Sequence, residues 1–251
     1  MYVPVIATAV IIAAALWLLP LVYYKYIKKP YAISAEGDEK CLLLTFDDGP
    51  DGNNTEMLLD LLALYNVKAC FFLLASRAEA AAPLVERMLS EGHCLGFHSI
   101  SHRNMLPLPP KKTAEDFRRG LEVFRRHNWP VTYYRPPYGA FNFFTLRAAR
   151  RNGLQLLLWN VIPRDWLVGQ SSNQLLQKLF ARVEQGAVIL LHDASAGAKA
   201  DKNAPARMIE ALNIFIPEMQ KRGYRFVTPE YCCREKLLVC NGGYYEALNA
   251  K

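Results

Sequence analysis

The chain has 251 residues, of which 52% are hydrophobic and 21% charged, a balance that suits a packed core and excludes a disordered polymer. The formal net charge is +7, which favours anionic surroundings such as membrane lipid or acidic polymers. The sequence contains no Arg-rich helix, zinc-finger spacing or RNA-binding motif, so we expect no nucleic-acid partner.

The N-terminal segment predicts a membrane anchor. Residues Tyr2 to Tyr24 include no charged side chain, are long enough to span a bilayer, and precede the basic flank Lys25–Lys29. A cleaved signal peptide is the alternative, but the start of the chain lacks the Lys or Arg that such peptides carry. We therefore predict a transmembrane anchor at 1–29, a linker at 30–40, a globular domain at 41–230 and a C-terminal tail at 231–251.

Apolar strand-like segments alternate with helix-like segments along the domain. The predicted strands are 41–46, 68–74, 94–98, 131–135, 154–160, 187–192 and 225–228. The predicted helices are 55–65, 83–91, 113–127, 142–152, 172–185 and 204–222. The strands are almost continuously apolar, as expected when both faces are covered, so the alternation predicts a parallel sheet, most simply closed into a barrel.

Six cysteines are too few for a disulfide scaffold in a chain of this length. Cys41, Cys70 and Cys94 lie in apolar strand-like segments, so we expect them to be buried as small hydrophobic side chains. Near the C-terminus, the sequence leaves open whether Cys232 or Cys233 pairs with Cys240.

Polar motifs follow five of the predicted strands at their carboxyl ends. In chain order these are Asp47-Asp48, His98 with His102, Arg135-Pro136-Pro137-Tyr138-Gly139, Asp165-Trp166 and His192-Asp193. Each motif alone is more often structural, as a turn, a rigid loop, a helix cap or a core histidine. Because the carboxyl ends of parallel strands share one rim, the five together predict a single functional cleft.

The adjacent carboxylates Asp47 and Asp48 are the most informative of these motifs. Burying two like charges side by side is costly unless a cation or a proton separates their roles. One carboxylate is therefore expected to bind a metal ion while the other handles a proton, and His98 and His102 could supply the other metal ligands.

With these motifs in order, the chain resembles the NodB-like polysaccharide deacetylases of carbohydrate esterase family 4 over about residues 41–230. The motifs that carry the resemblance are Thr45-Phe46-Asp47-Asp48-Gly49-Pro50, His98-Ser99-x-x-His102, Arg135-Pro136-Pro137-Tyr138-Gly139, Asp165-Trp166 and Leu190-Leu191-His192. The resemblance implies a distorted (β/α)7–8 barrel. It also implies a metal-dependent hydrolase that removes N-acetyl groups from GlcNAc-type residues of peptidoglycan or chitin-like oligomers.

The resemblance assigns a metal site and a base. Asp48, His98 and His102 would hold one divalent ion, with Zn²⁺ as the first candidate and Co²⁺ or another divalent ion as alternatives. The ion would acidify a water molecule and polarise the acetyl carbonyl. Asp47 would be the general base, kept ionised by a charge-assisted hydrogen bond from Arg135.

The resemblance also assigns an acid and a substrate site. His192 would protonate the leaving amine, with Asp165 orienting it and raising its pKa. Tyr138 would stabilise the oxyanion through its backbone N–H. Trp166 and Leu190 would line the acetyl pocket, and Pro137 completes the substrate-binding set.

Two positions depart from the family pattern. Phe97 stands before His98 where the family usually has Asn, a change that could alter the support of the metal loop. Ile162 stands three residues before Asp165, where the family usually has Asp, so a hydrogen-bonding carboxylate is missing.

Three hypotheses follow. The first, and the one that we expect, is a single-pass membrane-anchored deacetylase whose catalytic domain is extracellular and acts on the cell wall. The second is a membrane-tethered glycan-binding protein that has lost catalysis. The third is a deacetylase of a lipid-linked sugar precursor on the cytoplasmic face, which the positive-inside rule favours because of Lys25–Lys29. No protein partner is predicted.

Overall fold

The computed structural model of the chain describes residues 8, 11–12, 14–28, 40–195 and 201–229. Residues 14–17 are helical and are followed by α1 (Leu19–Val22) and a π-helical turn (Tyr23–Lys28). None of the helices within these ranges combines the length and apolar character needed to cross a bilayer. Part of the predicted anchor, nearly all of the predicted linker, the C-terminal tail and the candidate pairing with Cys240 lie outside the described residues.

All seven predicted strands are present, and most are shorter than predicted. They are β1 (Lys40–Asp47), β2 (Cys70–Leu73), β3 (Cys94–Phe97), β4 (Tyr133–Tyr134), β5 (Gln155–Leu156), β6 (Ala187–His192) and β7 (Tyr224–Phe226). In proportion, β4 and β5 are shortened most, to two residues each. Beyond β5, Leu157 and Leu158 are still buried, although they lie outside the ladder.

All six predicted helices are present, with one unpredicted addition. They are α2 (Gly52–Leu64), α4 (Ala82–Ser90), α5 (Pro110–Arg126), α6 (Phe143–Arg151), α7 (Ser172–Arg182) and α8 (Ala204–Lys221). The addition is α3 (Ala75–Ala80), which is too short to show a helical period in the sequence. A 3₁₀ turn at Pro137–Gly139 interrupts the loop after β4.

The strands form one parallel sheet in the order β5-β4-β3-β2-β1-β6, with β7 paired to β1. Asp47, the last residue of β1, is in register with Phe72 of β2 and with His192 of β6. Beyond β5, Val161 forms an isolated parallel bridge with Ile189 of β6, so the sheet curls back towards its other edge. The structure is thus a curled parallel sheet covered by helices, and the carboxyl ends of its strands meet at one rim.

Successive side chains of β1 point to opposite faces of the sheet and so belong to two separate hydrophobic cores. Leu42, Leu44 and Phe46 face the helices and join the larger core, whereas Cys41 and Leu43 face the inside of the curled sheet. Cys70 and Cys94 lie in the same inner cluster, which confirms the prediction that these three cysteines are buried. The same alternation assigns Thr45 and Asp47 to the inner face.

Candidate active site

Asp47 ends β1 at the rim of the sheet and is almost fully buried. Arg135 Nη1 donates a 2.7 Å hydrogen bond to Asp47 Oδ1. A buried carboxylate next to a guanidinium is favoured in its ionised form, because the charge-assisted bond compensates for desolvation. The predicted contact between Asp47 and Arg135 is therefore present, and it leaves Oδ2 of Asp47 directed toward His98 Nε2, 3.7 Å away.

Arg135 is completely buried and is held by several elements at once. Its Nη1 also donates to Thr45 Oγ1 (2.7 Å), while Nε and Nη2 donate to the carbonyl oxygens of Leu157 (3.0 Å) and Leu158 (3.1 Å). The guanidinium lies 3.9 Å from the ring centroid of Phe72. A guanidinium with this many fixed acceptors has little freedom to move, so it fixes the position of the Asp47 carboxylate.

Asp48, His98 and His102 converge at the same rim. Asp48 Oδ1 lies 3.4 Å from His98 Nε2 and 3.2 Å from His102 Nε2. One candidate ligand atom from each of the three residues lies within 4.8 Å of the others. Asp48 Oδ1 is buried and accepts no hydrogen bond from any described residue, which suits an atom reserved for a cation. This donor set fits a single divalent ion with coordination positions left open.

The tautomer of His98 follows from its neighbour. His98 Nδ1 lies 2.7 Å from the backbone carbonyl oxygen of Arg135, which can only accept a hydrogen bond. Nδ1 must therefore carry the proton, and Nε2 presents its lone pair toward Asp48. Metal-binding histidines are commonly oriented by such a contact. Arg135 thus acts twice, through its side chain on Asp47 and through its carbonyl on His98.

The protonation states of this cluster suit metal binding. Burial lowers the pKa of His102 below its ordinary value, and the nearby His98 contributes in the same direction, although Asp48 opposes them. Burial alone would raise the pKa of Asp48, but the imidazoles of His98, His192 and His102 outweigh it and lower that pKa. A neutral imidazole and an ionised carboxylate are the forms that bind metal.

The backbone of the site is unusual at several positions. Asp48 has φ 77°, Ser99 has φ 88° and His102 has φ 57°, all in the left-handed region that side chains seldom adopt. Ser99 Oγ accepts the backbone N–H of His102 at 2.9 Å, which stabilises the turn between the two histidines. Such strain is typical of functional loops whose side chains must point to one place.

Asp165 and His192 form the opposite wall of the site. Asp165 Oδ2 accepts the backbone N–H of His192 (2.7 Å), and its Oδ1 lies 3.0 Å from His192 Nδ1. Burial of His192 would lower its pKa, but the charge and hydrogen bond of Asp165, helped by Asp48 and Asp47, raise it to about 9. An imidazolium that is still 19% exposed can donate a proton at neutral pH.

The predicted substrate-binding residues surround this centre. Tyr138 has φ 60°, and its ring lies 4.5 Å from that of His102 with 61% of the residue exposed. The ring of Trp166 contacts that of His192 at 5.0 Å. Leu190 and Pro137 are both buried, Leu190 in β6 two residues before His192.

Both departures from the family pattern lie outside the hydrogen-bonded centre. Phe97 is fully buried on the helix side of β3, where its ring contacts Phe117, Phe124 and Tyr134. Ile162 is half-buried, and its carbonyl oxygen accepts from Arg182 Nη1 at 2.8 Å. The Asp165–His192 pair forms with Ile162 in place.

Two further side chains support the carboxylate loop: the sequence marks Arg77 by no motif, and it places Asp193 at the rim without a role. Arg77 donates to the carbonyl oxygens of Asp48 and Ser195, at 3.0 Å each. No sequence signal marked it, because it lies in the unpredicted helix α3. Asp193 is fully buried, and its Oδ2 accepts from Thr55 Oγ1 at 2.6 Å.

Burial raises the pKa of Asp193 to about 7. Its carboxylate lies so close to Gly49 that a Cβ there would approach Oδ2 to 2.1 Å. Position 49 therefore requires glycine, which explains the Gly that follows the two aspartates.

Comparison with known proteins agrees with this geometry. Residues 34–157 match the family model described as polysaccharide deacetylase. A peptidoglycan-N-acetylglucosamine deacetylase of Bacillus cereus is 32% identical over 201 residues, which cover 79% of this chain and 91% of that protein.

Solved structures agree in fold. A peptidoglycan N-acetylglucosamine deacetylase in complex with 4-naphthalen-1-yl-N-oxidanyl-benzamide superposes with a TM-score of 0.73 at 31% identity, covering 84% of this chain and 96% of that one. A family 4 acetyl xylan esterase from Clostridium thermocellum in complex with a cobalt ion gives a TM-score of 0.69 at 30% identity, covering 78% and 92%.

Proposed function

The chain belongs to the polysaccharide deacetylase family and is a polysaccharide N-deacetylase, and we propose that it removes the N-acetyl group from N-acetylglucosamine residues of peptidoglycan. The observation that carries the proposal is the convergence of Asp48, His98 and His102 beside the Asp47–Arg135 pair and opposite the His192–Asp165 pair. Peptidoglycan is chosen as the substrate because the relatives of 32% and 31% identity described above carry that name.

Asp48, His98 and His102 would hold a divalent ion, for which we propose Zn²⁺ because two imidazoles and one carboxylate match its preferred ligands. When bound, such an ion supplies a Lewis acid that acidifies water and polarises the acetyl carbonyl. The protein keeps both imidazoles in the right form for this, since Arg135 fixes the tautomer of His98 and burial lowers the pKa of His102.

Asp47 acts as the base in this proposal. Oδ1 is occupied by the bond from Arg135, so Oδ2 is the oxygen that takes a proton from the attacking water. The new C–O bond forms at the acetyl carbon, and the backbone N–H of Tyr138 donates to the carbonyl oxygen as it gains negative charge. Trp166 and Leu190 line the space for the acetyl methyl group.

His192 completes the reaction as the acid. Its Nδ1 is engaged by Asp165, so Nε2 is the nitrogen that gives its proton to the amide nitrogen as the C–N bond breaks. The products are acetic acid, which ionises to acetate, and a free amine. Asp47 then releases the proton that it took from water, and His192 takes up a proton, so both side chains return to their starting forms. Because β1 and β6 are neighbours with Asp47 and His192 in register, base and acid are supplied by adjacent strands.

The test measures acetate released from peptidoglycan, chitooligomers and acetylated xylan, with Zn²⁺ or Co²⁺ added and with a chelator. We expect chelator to abolish release, added metal to restore it, and peptidoglycan to be the best substrate. The double variant His98→Ala, His102→Ala should release no acetate. His127→Ala, in which the lost imidazole had stacked on Trp129 outside the site, should behave as the parent.

Two results bear on different parts of the proposal. Metal-independent acetate release by the double variant would overturn the assigned centre. A clear preference for acetylated xylan would overturn the peptidoglycan assignment while leaving the deacetylase chemistry intact.

A further inference from the structure

A basic groove of about 550 Å³ lies between α5 and α6, on the outer wall of the domain. Its lining includes no carboxylate from the described residues, and it includes one lysine and four arginines. These cations are Lys111, Arg118, Arg125, Arg147 and Arg151. None of the residues proposed for the deacetylase centre belongs to this lining, so the groove is a separate feature of the surface.

Helix stability does not explain this accumulation of charge. Helix α5 carries six Lys or Arg against three Asp or Glu, and α6 carries three Arg and no acidic residue. Arg125 and Arg151 lie in last turns, where cations stabilise a helix through its dipole. Lys111 lies in the first turn of α5, where a cation is unfavourable, and Arg118 and Arg147 lie away from the stabilising last turn of their helices.

The cations of the groove are also largely uncompensated. Arg125 pairs with the exposed Glu122 at 2.9 Å. Glu122 is also close enough to Arg118 for an electrostatic attraction. In the part of the chain that the structure describes, no ion pair within 4.0 Å involves the other four cations of the groove, Lys111, Arg118, Arg147 and Arg151. Of the other two acidic residues of α5, Glu115 pairs with Lys112 at 3.6 Å, and Asp116 is buried beneath the helix. Uncompensated cations on one face create a positive potential that attracts anions.

The N-terminal helical segment, residues 14–28, borders this groove. The ring of Trp17 lies 5.2 Å from that of Phe144, which lines the groove, and Arg150 donates to Tyr24 Oη at 2.8 Å. On its outer side the segment exposes large apolar side chains. These include Leu18, Leu19, Val22, Tyr26 and Ile27, with Leu19 61% and Tyr26 72% exposed. The first acidic residue of the chain is Glu36, so no negative charge interrupts the segment.

We propose that the groove and the adjoining apolar segment form one docking surface for a bilayer that contains anionic phospholipid. The cations of the groove bind headgroup phosphates, and the exposed apolar side chains enter the interface between headgroups and acyl chains. An anionic wall polymer would bind the cations but would leave the apolar side chains exposed to water. A bilayer with anionic headgroups binds the cations and also buries the apolar side chains. The proposal does not depend on the deacetylase activity.

The test is flotation of the full-length protein with vesicles of phosphatidylcholine alone and of phosphatidylcholine mixed with phosphatidylglycerol. Inorganic polyphosphate serves as a soluble phosphate probe. The groove variant combines Arg118→Glu with Arg147→Glu. The control variant combines Lys202→Glu with Lys221→Glu, which changes net charge equally at two exposed lysines outside the groove. A milder pair, Arg118→Gln with Arg147→Gln, covers the case in which charge reversal impairs folding.

We expect binding to the anionic vesicles, weakening with salt, and an affinity at least about 30-fold lower in the Glu groove variant, since each cation near an anionic surface contributes appreciably. The control should bind nearly as the parent, and all variants should release acetate at the parental rate. Equal losses in groove and control variants would overturn the proposal, because net charge alone would then explain binding. Polyphosphate binding without vesicle binding would overturn it in favour of a phosphate polymer.

Discussion

Replacing Asp165 by Asn should move the pH dependence of the reaction while preserving the fold. Asp165 is nearly isosteric with Asn, whose amide oxygen can still accept the backbone N–H of His192. What disappears is the negative charge 3.0 Å from His192 Nδ1. Since burial lowers the pKa of His192 and Asp165 is the leading cause that raises it, the pKa should fall sharply in the variant.

The size of the effect follows from that pKa. Asp165 and its neighbours raise it from the ordinary 6.5 to about 9. At about 1.4 kcal/mol per tenfold change, this amounts to roughly 3 kcal/mol in favour of the imidazolium. At pH 8 a group with pKa about 9 is about 90% protonated, whereas one at or below its ordinary value is about 3% protonated or less. The variant should therefore lose at least about 30-fold in rate at pH 8 through the loss of the acid alone.

The sign of the pH dependence is as important as its size. A raised histidine pKa means that the protonated form persists until the pH passes about 9, and the activity that depends on it is lost above that value. In the variant the same loss should occur at lower pH, so the deficit should shrink as the pH approaches about 5.5. A metal ion held by Asp48 would offset part of the anionic field on His192 in the parent and in the variant alike, so the difference between their pKa values would persist.

The assay is kcat for acetate release across pH with saturating Zn²⁺, for the parent, Asp165→Asn and Asp60→Asn. Asp60 is an exposed residue paired with Arg87, so its variant makes the same charge change away from His192. A rate deficit in Asp165→Asn that is equal at all pH values would refute the reasoning, since a merely structural role predicts that pattern. A matching shift in Asp60→Asn would refute it too, because net charge would then be responsible.

Three further predictions concern the same rim. Asp47→Asn should lose about 10²- to 10⁴-fold in kcat but should retain bound Zn²⁺, as measured by elemental analysis. Asp48→Asn should lose both activity and metal. Equal metal loss in the two variants would contradict the division of roles between the two carboxylates. Arg135→Leu should lower the free energy of unfolding, measured by denaturant titration, by about 3–5 kcal/mol, because Asp47 would be left buried without its guanidinium partner. A loss of less than about 1 kcal/mol would contradict the importance of this buried pair. Phe97→Asn introduces the residue that is usual in the family, and it should lower the free energy of unfolding by about 3–5 kcal/mol, because the Phe97 ring fills the space over Gly120. Near-parental stability of this variant would show that position 97 is not a core position in this protein.

Much of the fold was predictable because it rests on local patterns. The buried strand before Asp47 and the buried strand before His192 are continuous apolar runs, and each ends where the polar motif begins. The short strands β4 and β5 show the limit, since only two residues of each pair with a neighbour although the apolar run is longer. Helix α3 was missed because six residues give no periodicity, and with it Arg77 was missed as a support of Asp48.

The sequence by itself determined which residue types stand at the rim, since the carboxyl end of each strand is readable from where its apolar run stops. Only the tertiary structure decided which atom of each residue accepts, donates or carries a proton. The guanidinium of Arg135 reaches Asp47 across 88 positions, its carbonyl selects the tautomer of His98, and Asp165 holds both the backbone and the ring of His192. These contacts join residues that no local period relates, and hydrogen bonds and pKa values depend on distances of a few ångströms that exist only after the sheet has curled.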